Sequence, residues 1–551
     1  MNRKSPAMLI LLGFALAAIL AGMIGPVSAS NPKSAYYSDS TSNVFWFIHT
    51  SDLHIGARGT QDTANLTWLV SQAKNVIAPD FIIVTGDLTD STNGNLFGYP
   101  NGPYQSEWDQ YTNIVDVRVT PEDYFDLPGN HDEYNDGDFN YYLSNSVQGR
   151  RTGITQLSFT RTPGFGKYHF VGINTADNSG DPFSIFGPYY GDYAGLDAEE
   201  LSFIGAELAA NSDSDLTLVF GHHPLAPTGN PEDTYVNYGL DQFLGLMDFY
   251  SSVSYGYGHT HAFSEAFFGP GLTQPGFFYL NVASLGKSSS NQYSLFAIDC
   301  NGISSTTRTV GSWPVVLITA PVDRYYGNVT SPYGYDVQAS SSSPIRALAF
   351  DPDGITRMDY RIDGSSTWYP MTNVPADPKL WSTGWNSSAL AQGDHTIEVR
   401  ATNGKGVTSS NTITARVLQS SPPLPTQVHI DSLATGKYVK QNKTTTFVFG
   451  SDFYQGDTVV IRAQVMIGTM PVTGASVTLS ITGPEIVTLT TGASNSQGFA
   501  EAKWATKAPA RRSTGTAIGS YTATVTGVTA PGATWDHATT TPQATFTIKS
   551  R

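Results

Sequence analysis

Five short motifs bring together the residue types that hold metals and move protons. They are Asp52-Leu53-His54, Gly86-Asp87, Gly129-Asn130-His131-Asp132, Gly221-His222-His223-Pro224 and Gly258-His259-Thr260-His261. Asp52 and His54, like His259 and His261, are i, i+2 pairs, which an extended chain points to one side. Each pair therefore offers two ligands to one centre. Imidazole mixed with carboxylate and carboxamide oxygen suits divalent or trivalent ions such as Mn, Fe, Zn or Co. Asp87, with two carboxylate oxygens, is the candidate bridge between two ions. Glycine precedes Asp87, Asn130, His222 and His259, where a strand must turn sharply and leave the ligand exposed. Singly, each motif is weak: a Gly-Asn-His-Asp run is often only an Asx turn. Five of them in one order, each after a strand, make accident a poor explanation.

Those strands are the elements that must place the motifs. Apolar runs at 44–50, 81–85, 124–127, 168–174, 216–220 and 253–257 predict buried strands. Helical periodicity covers 63–76, 106–115, 197–210 and 240–249, with Asp197 as a cap and Glu199 and Glu200 in the favoured first turn. Such alternation predicts a layered α/β domain over residues 44–310. Open α/β sheets collect functional groups at the C-terminal ends of their strands, so distant segments converge on one cleft.

From Trp313 the helical periodicity ends. Short alternating runs at 344–350, 355–362, 395–401 and 412–417, with a hairpin signal at Asp363-Gly364, predict an immunoglobulin-like β-sandwich over 311–417. Within 395–401, Ile397 and Val399 should face inward and Glu398 and Arg400 outward. Pro422, Pro423 and Pro425 mark a stiff linker at 418–428, and residues 429–551 repeat the β texture as a second sandwich. The segment 301–313 reads as a short junction, so the first sandwich should pack closely on the α/β domain.

At the N-terminus, Arg3 and Lys4 precede 19 uncharged residues, Ala7 to Gly25, and then Val27-Ser28-Ala29. Residues 1–29 read as a cleaved signal peptide or a retained anchor, which puts the body outside the cytoplasm, extracellular or at the cell surface. With 30 Lys and Arg against 46 Asp and Glu, the net charge is −16, so no nucleic-acid-binding surface is expected. One cysteine, Cys300, excludes an intrachain disulfide and a thiolate zinc site.

The ordered motif set resembles the calcineurin-like metallophosphoesterase superfamily throughout 44–310. The resemblance implies a four-layer α/β/β/α sandwich and two transition-metal ions, such as Mn, Fe or Zn. Carried over motif by motif, Asp52, His54, Asp87 and His261 would hold the first ion. Asp87, Asn130, His222 and His259 would hold the second, with His223 as the alternative to His222. His131 would stabilise the transition state or protonate the leaving oxygen, and Asp90 would orient it, unless Asp90 is only a loop acid. Arg58, just after the first motif, is a candidate phosphate contact or a solvated arginine. Two such ions lower the pKa of a water held between them and clamp phosphate oxygens. The expected substrate is a phosphate mono- or diester.

Gly311 to Thr319, Ile345 to Phe350, Arg361 to Gly364 and Glu107-Trp108 extend the likeness over 44–417 to the transmembrane protein sixty-two family. That family joins a metallophosphoesterase domain to an immunoglobulin-like domain. This sequence has a β-rich C-terminal domain where the family carries membrane spans, so that topology does not transfer. The rival reading is a surface binding or adhesion protein with a non-catalytic metallophosphoesterase domain, but every ligand position is filled. A purple acid phosphatase would need tyrosine at position 90, and a 5′-nucleotidase-like enzyme would need a base-stacking domain. A cell-envelope contact through the last sandwich rests on position alone.

Overall fold

The structure, a computed structural model, describes residues 35–38, 40–95, 101–176, 194–229, 234–269, 276–287, 291–331, 333–419, 427–441, 444–511, 513–536 and 542–550. The signal or anchor segment and most of the Pro-rich linker lie outside them. No helix among the described residues is long and apolar enough to cross a membrane. The chain divides into two compact units, 31–420 and 421–551.

The first unit opens with β1 (Val44–Thr50), followed by a helical segment, α1, built from Asp62–Trp68, a π-helical turn Leu69–Ala73, and Lys74–Ile77. Then come β2 (Ile82–Thr85), α2 (Gln105–Val115), β3 (Tyr124–Leu127) and three short helices, α3 (Asn130–Glu133), α4 (Asn140–Asn145) and α5 (Val147–Thr152). The second half runs β4 (Leu157–Arg161), β5 (Tyr168–Gly172), α6 (Ala198–Ala210), β6 (Leu216–Phe220), α7 (Leu240–Phe249), β7 (Ser254–Tyr257), β8 (Ser264–Phe268) and β9 (Phe277–Asn281). Two long strands, β10 (Gln292–Asp299) and β11 (Gly302–Thr309), return to the first half.

One sheet has the order β11-β10-β1-β2-β3 and the other β4-β5-β6-β7-β9-β8. Strands β1, β2 and β3 are parallel, as are β5, β6, β7 and β9. The alternation along β1 explains the layering. Phe45 and Phe47 point into a core between the sheets, against Phe170 and Phe296. Trp46 and Ile48 point the other way, under Leu66, Val70 and Trp108 of the helices. Residues Val171, Val219 and Tyr255 of the second sheet likewise meet Ile204, Phe243 and Met247 of α6 and α7. Asp197 caps α6 as expected, its carboxylate accepting from the Glu199 and Glu200 amides at 2.8 Å.

The segment 301–313 is not the junction its polarity suggested. Gly302–Thr309 pairs along its whole length with β10, and its Ser and Thr residues are those of an edge strand. The chain then passes directly into β12 (Val315–Ala320), the first strand of a sandwich. Its four-stranded sheet also holds Ser343–Phe350, Asp377–Trp385 and Thr372–Val374, and its five-stranded sheet includes Ile355–Ile362, Gly393–Asn403 and Thr408–Leu418. Ile397 and Val399 are buried, while Glu398 and Arg400 are partly exposed. Asp363 and Gly364 have φ of 50° and 65°, the pair of left-handed residues that a tight hairpin turn requires.

β12 is buried at every position, and apolar at all but Thr319, because both faces are covered. Val316 and Ile318 lie in the sandwich core. Val315 and Leu317, with Leu348, Phe350 and Leu380, belong to the same cluster as Trp46 and the α1 and α2 side chains. At this seam Arg346 meets Asp299 through Nε at 2.8 Å and Nη2 at 2.9 Å, both side chains 1% exposed. Thr319 Oγ1 also donates to Asp299, at 2.7 Å.

The second unit is a separate sandwich of six- and five-stranded sheets, led by Gln427–Gln441, Thr458–Ile467 and Gly519–Thr529. Its core of Val459, Ile461, Ala463, Val477, Leu479, Tyr521 and Phe546 draws only on residues of this unit.

Candidate metal centre

The five motifs occupy the loops leaving β1, β2, β3, β6 and β7, so both sheets supply ligands. The β1 and β2 loops continue to pair after their strands end: Asp52 N–H donates to Gly86 O (3.0 Å) and His54 N–H to Asp87 O (2.9 Å). Asp132 fixes the β3 loop to them, its carboxylate accepting from the Leu88 amide (3.0 Å), the Gly129 amide (2.9 Å) and the Thr89 amide (2.9 Å). A Cβ on Gly129 would fall 2.2 Å from Asp87 Oδ1, so that approach requires glycine.

The Asp-x-His and His-x-His pairs do converge, but not through an extended chain. Asp52, His54, Asp87, His259 and His261 have φ of 53°, 46°, 51°, 68° and 56°. Left-handed turns aim the side chains, and each such non-glycine residue costs of the order of 1–3 kcal/mol. Strain concentrated on five of the seven expected ligands marks this as a site held open for function.

Two groups of donors face each other. In the first, His54 Nε2 lies 3.0 Å from His261 Nε2 and 3.4 Å from Asp87 Oδ2, and His261 Nε2 lies 3.4 Å from Asp52 Oδ1. In the second, Asn130 Oδ1 lies 3.1 Å from both His222 Nε2 and His259 Nδ1. Asp87 spans them: its Oδ1 is 3.4 Å from His222 Nε2, while its Oδ2 faces His54. His54 Nδ1 meets Asp90 Oδ1 at 2.8 Å and His222 Nδ1 meets Thr85 O at 2.7 Å. His222 Nδ1 carries the ring proton, which leaves its Nε2 with a lone pair turned inward. His259 Nε2 accepts from the Thr234 main-chain N–H at 3.2 Å, with Thr234 Oγ1 3.0 Å away. Lone pairs and carboxylate oxygens aimed at one another require a cation or a proton between them. Donor separations of 3.0–3.4 Å suit ligands about 2.0–2.2 Å from a shared ion. The residues present fit two metals.

Without metal, protons take part of that role. Burial alone would lower His222, but Asp87 overrides it and lifts the imidazole to about 9. Burial would raise Asp52, but His261 holds it down to about 2. Asp87 is likewise held well below the carboxylate range by His222 and His131. Burial pushes His54 and His259 down to about 3.

Comparison with known proteins agrees with this geometry. Residues 45–263 match the calcineurin-like phosphoesterase family, and 314–399 match the bacterial Ig domain family. Residues 45–263 form a calcineurin-like phosphoesterase domain. Transmembrane protein 62 of Mus musculus is 27% identical over 425 residues, covering 73% of this chain and 61% of the relative. A curated Arabidopsis thaliana relative is 23% identical over 403 residues, covering 63% and 52%. The chain thus spans little more than half the length of either. A solved dimetal phosphatase from Danio rerio, 12% identical with a TM-score of 0.36, aligns over 48% of this chain and 96% of its own.

Within the phosphoesterase domain one expectation needs correction. Asp90 does not orient His131 with its carboxylate. That carboxylate sits on His54 Nδ1, 3.9 Å from His131 Nδ1, and it is Asp90's main-chain oxygen that takes the His131 Nδ1 proton at 2.7 Å. Arg58 is exposed on the turn after β1 and makes no ion pair or hydrogen bond among the described residues, so nothing ties it to the centre. His223 lies beside His222 and His259, within the same group of potential ligands, with Nδ1 3.0 Å from Thr175 Oγ1. It is His222, not His223, that meets Asp87 and Asn130.

Sequence reading missed several supports of the phosphoesterase centre. Thr175 Oγ1 accepts from the His222 (3.1 Å) and His223 (3.0 Å) amides, and Thr85 fixes the His222 tautomer through its carbonyl. Lys287 Nζ lies 3.0 Å from Asp90 Oδ1. The centre is buried except on one edge, where the side chains of His131, His261 and Lys287 are 12%, 30% and 31% exposed.

Proposed function

We propose that the protein is an exported, dinuclear-metal phosphoesterase that hydrolyses a phosphate mono- or diester. The observation that carries this reading is the Asp87 carboxylate, which presents one oxygen to each ligand group at 3.4 Å. Asp52, His54, Asp87 and His261 would hold one ion, and Asp87, Asn130, His222 and His259 the other. Bound there, two such ions supply Lewis acidity to phosphoryl oxygens and lower the pKa of a coordinated water.

The protein's own part falls to residues around them. His131 donates its main-chain N–H to Asp87 Oδ1 (3.0 Å) and its Nδ1–H to the Asp90 carbonyl (2.7 Å). Both contacts leave Nε2 as the free ring nitrogen, 4.0 Å from Asp87 Oδ2, and it is the imidazolium form of His131 that would give the Nε2 proton to the leaving oxygen. The Asp90 carboxylate lies against His54 Nδ1 at 2.8 Å. Export rests on the pattern in residues 1–29, and an envelope-contact or spacer role for residues 429–551 on their separate core.

Purified protein should contain about two transition-metal ions per chain. It should hydrolyse a generic phosphate ester, lose activity to a chelator and regain it with Mn, Fe, Zn or Co. Reconstituted protein that retains no metal would refute the assignment. N-terminal sequencing of the mature protein tests export, with a start just after Ala29 expected for cleavage.

A further inference from the structure

The segment Ser284-Leu285-Gly286-Lys287 follows β9 and is fastened to the first ligand loop. Leu285 N–H donates to Ser51 O (3.0 Å) and Gly286 N–H to Asp52 O (3.1 Å). Ser284 Oγ–H donates to Asp52 O and accepts from Lys287 N–H, each at 2.9 Å. Asn65 Nδ2 holds Leu285 O at 2.8 Å. A Cβ on Gly286 would lie 1.7 Å from Leu53 O, so only glycine lets the two loops close. This strap fixes the backbone of Lys287 beside two ligands and sets its ammonium over Asp90.

Asp90 already has a partner in His54, and a part-exposed lysine adds little stability as an ion pair. Among the described residues Lys287 is nonetheless the one lysine or arginine that ion-pairs with a residue of the centre. An ammonium has three N–H donors. One meets Asp90, and no other partner is seen among the described residues. The Lys287 side chain is 31% exposed, close to the 30% of His261, so the ammonium remains open to solvent beside the centre.

We propose that Lys287 anchors the substrate's phosphoryl group and biases the centre towards phosphate monoester dianions over diester monoanions. The inference rests on the phosphoesterase reading and names its substrate class. A monoester keeps three non-bridging oxygens and two charges. A diester gives up one of each, so the lysine's attraction is weaker.

The test uses full-length protein loaded with metal, with Lys287→Met, Lys287→Gln and Lys287→Arg beside wild type. Calorimetric titration with inorganic phosphate is run with metal analysis on the same samples. The Met and Gln variants should keep both ions and bind phosphate about 10–100-fold more weakly, the scale of a lost charged hydrogen bond. The Arg variant should recover most of the affinity. Their kcat/KM should fall about tenfold further on p-nitrophenyl phosphate than on bis(p-nitrophenyl) phosphate. Wild-type phosphate affinity in the Met and Gln variants overturns the proposal, as does wild type that binds no phosphate. Equal losses on both esters together with lost metal would mean that Lys287 only positions His54. If wild type binds phosphate through Lys287 but cleaves neither ester with any metal, the anchor stands and the phosphoesterase reading falls. If it cleaves both esters and the variants do so in the same ratio, the reading stands and the anchor falls.

Discussion

The two donor groups meet at Asp87 but are built differently. The first is held by charge: Asp90 on His54, Lys287 on Asp90, Asp52 on His261, with His261 and Lys287 reaching the open edge. The second is held mostly by neutral groups, the Thr85 carbonyl and the Thr175 and Thr234 hydroxyls, with Asp52 accepting the His259 amide, and His222 is fully buried. The difference is in surroundings: the first group is set among charges, and the second mostly among neutral hydrogen-bonding groups.

The change that breaks the comparison outright is Asp87→Ala. Both groups lose their common carboxylate, so metal analysis should find both ions gone and hydrolysis below detection. His131→Ala should leave both ions in place and lower kcat by about 10²–10⁴-fold, because the proton donor lies beside His54 and is not one of the seven expected ligands. Full activity on a substrate with a poor leaving group would remove His131 from the mechanism.

Smaller changes should separate the groups. Asp90→Asn weakens the partner of His54, and Thr175→Val removes the acceptor for the His222 and His223 amides. Each should cost about 10–100-fold in affinity for one ion and leave the other, as read from stepwise metal titration. Loss of the same ion in both variants would contradict the assignment of ligands to groups.

The remaining effects are in the pH dependence of metal-free stability, where His54 and His222 act in opposite directions. His222 is raised from 6.5 to about 9, so its contribution is complete below pH 6.5 and disappears as the pH climbs through about 9. His54 is lowered from 6.5 to about 3, so its contribution is present above pH 6.5 and fades as the pH falls towards 3. At 1.36 kcal/mol per unit, these are at most about 3 and about 5 kcal/mol. Thermal melts of metal-free protein should lose the alkaline slope in His222→Gln and the acid slope in His54→Gln. The same slope lost in both would show that the pair titrates as one.

All seven expected ligands converge because each motif joins a residue type to a strand end, and both are visible in one dimension. The reason why Asp52 and His54 share a direction was not visible, since left-handed φ at non-glycine residues leaves no compositional trace. Asp90 was found by its offset from Asp87, but an offset cannot say whether a carboxylate or its own carbonyl meets a neighbour. Lys287 was missed because the meaning of Ser284-Leu285-Gly286 lies in a loop more than 200 residues away. Edge strand β11 was read as a junction because Ser304 to Thr307 are small and polar, and only pairing with β10 reveals the strand.

The seam at Asp299 has a consequence for transferability. Excising the phosphoesterase domain at residue 310 would uncover Trp46 and its neighbours where Val315, Leu317 and Phe350 now cover them. It would also leave the Asp299 carboxylate without Arg346, and breaking a buried pair on one side costs about 3–5 kcal/mol. That is a large share of the roughly 5–15 kcal/mol by which a protein is stable at all. The smallest portable piece of this molecule is therefore the phosphoesterase together with its first sandwich, the block 31–420. The last sandwich has a core cluster of its own, drawn among the described residues from 428–548.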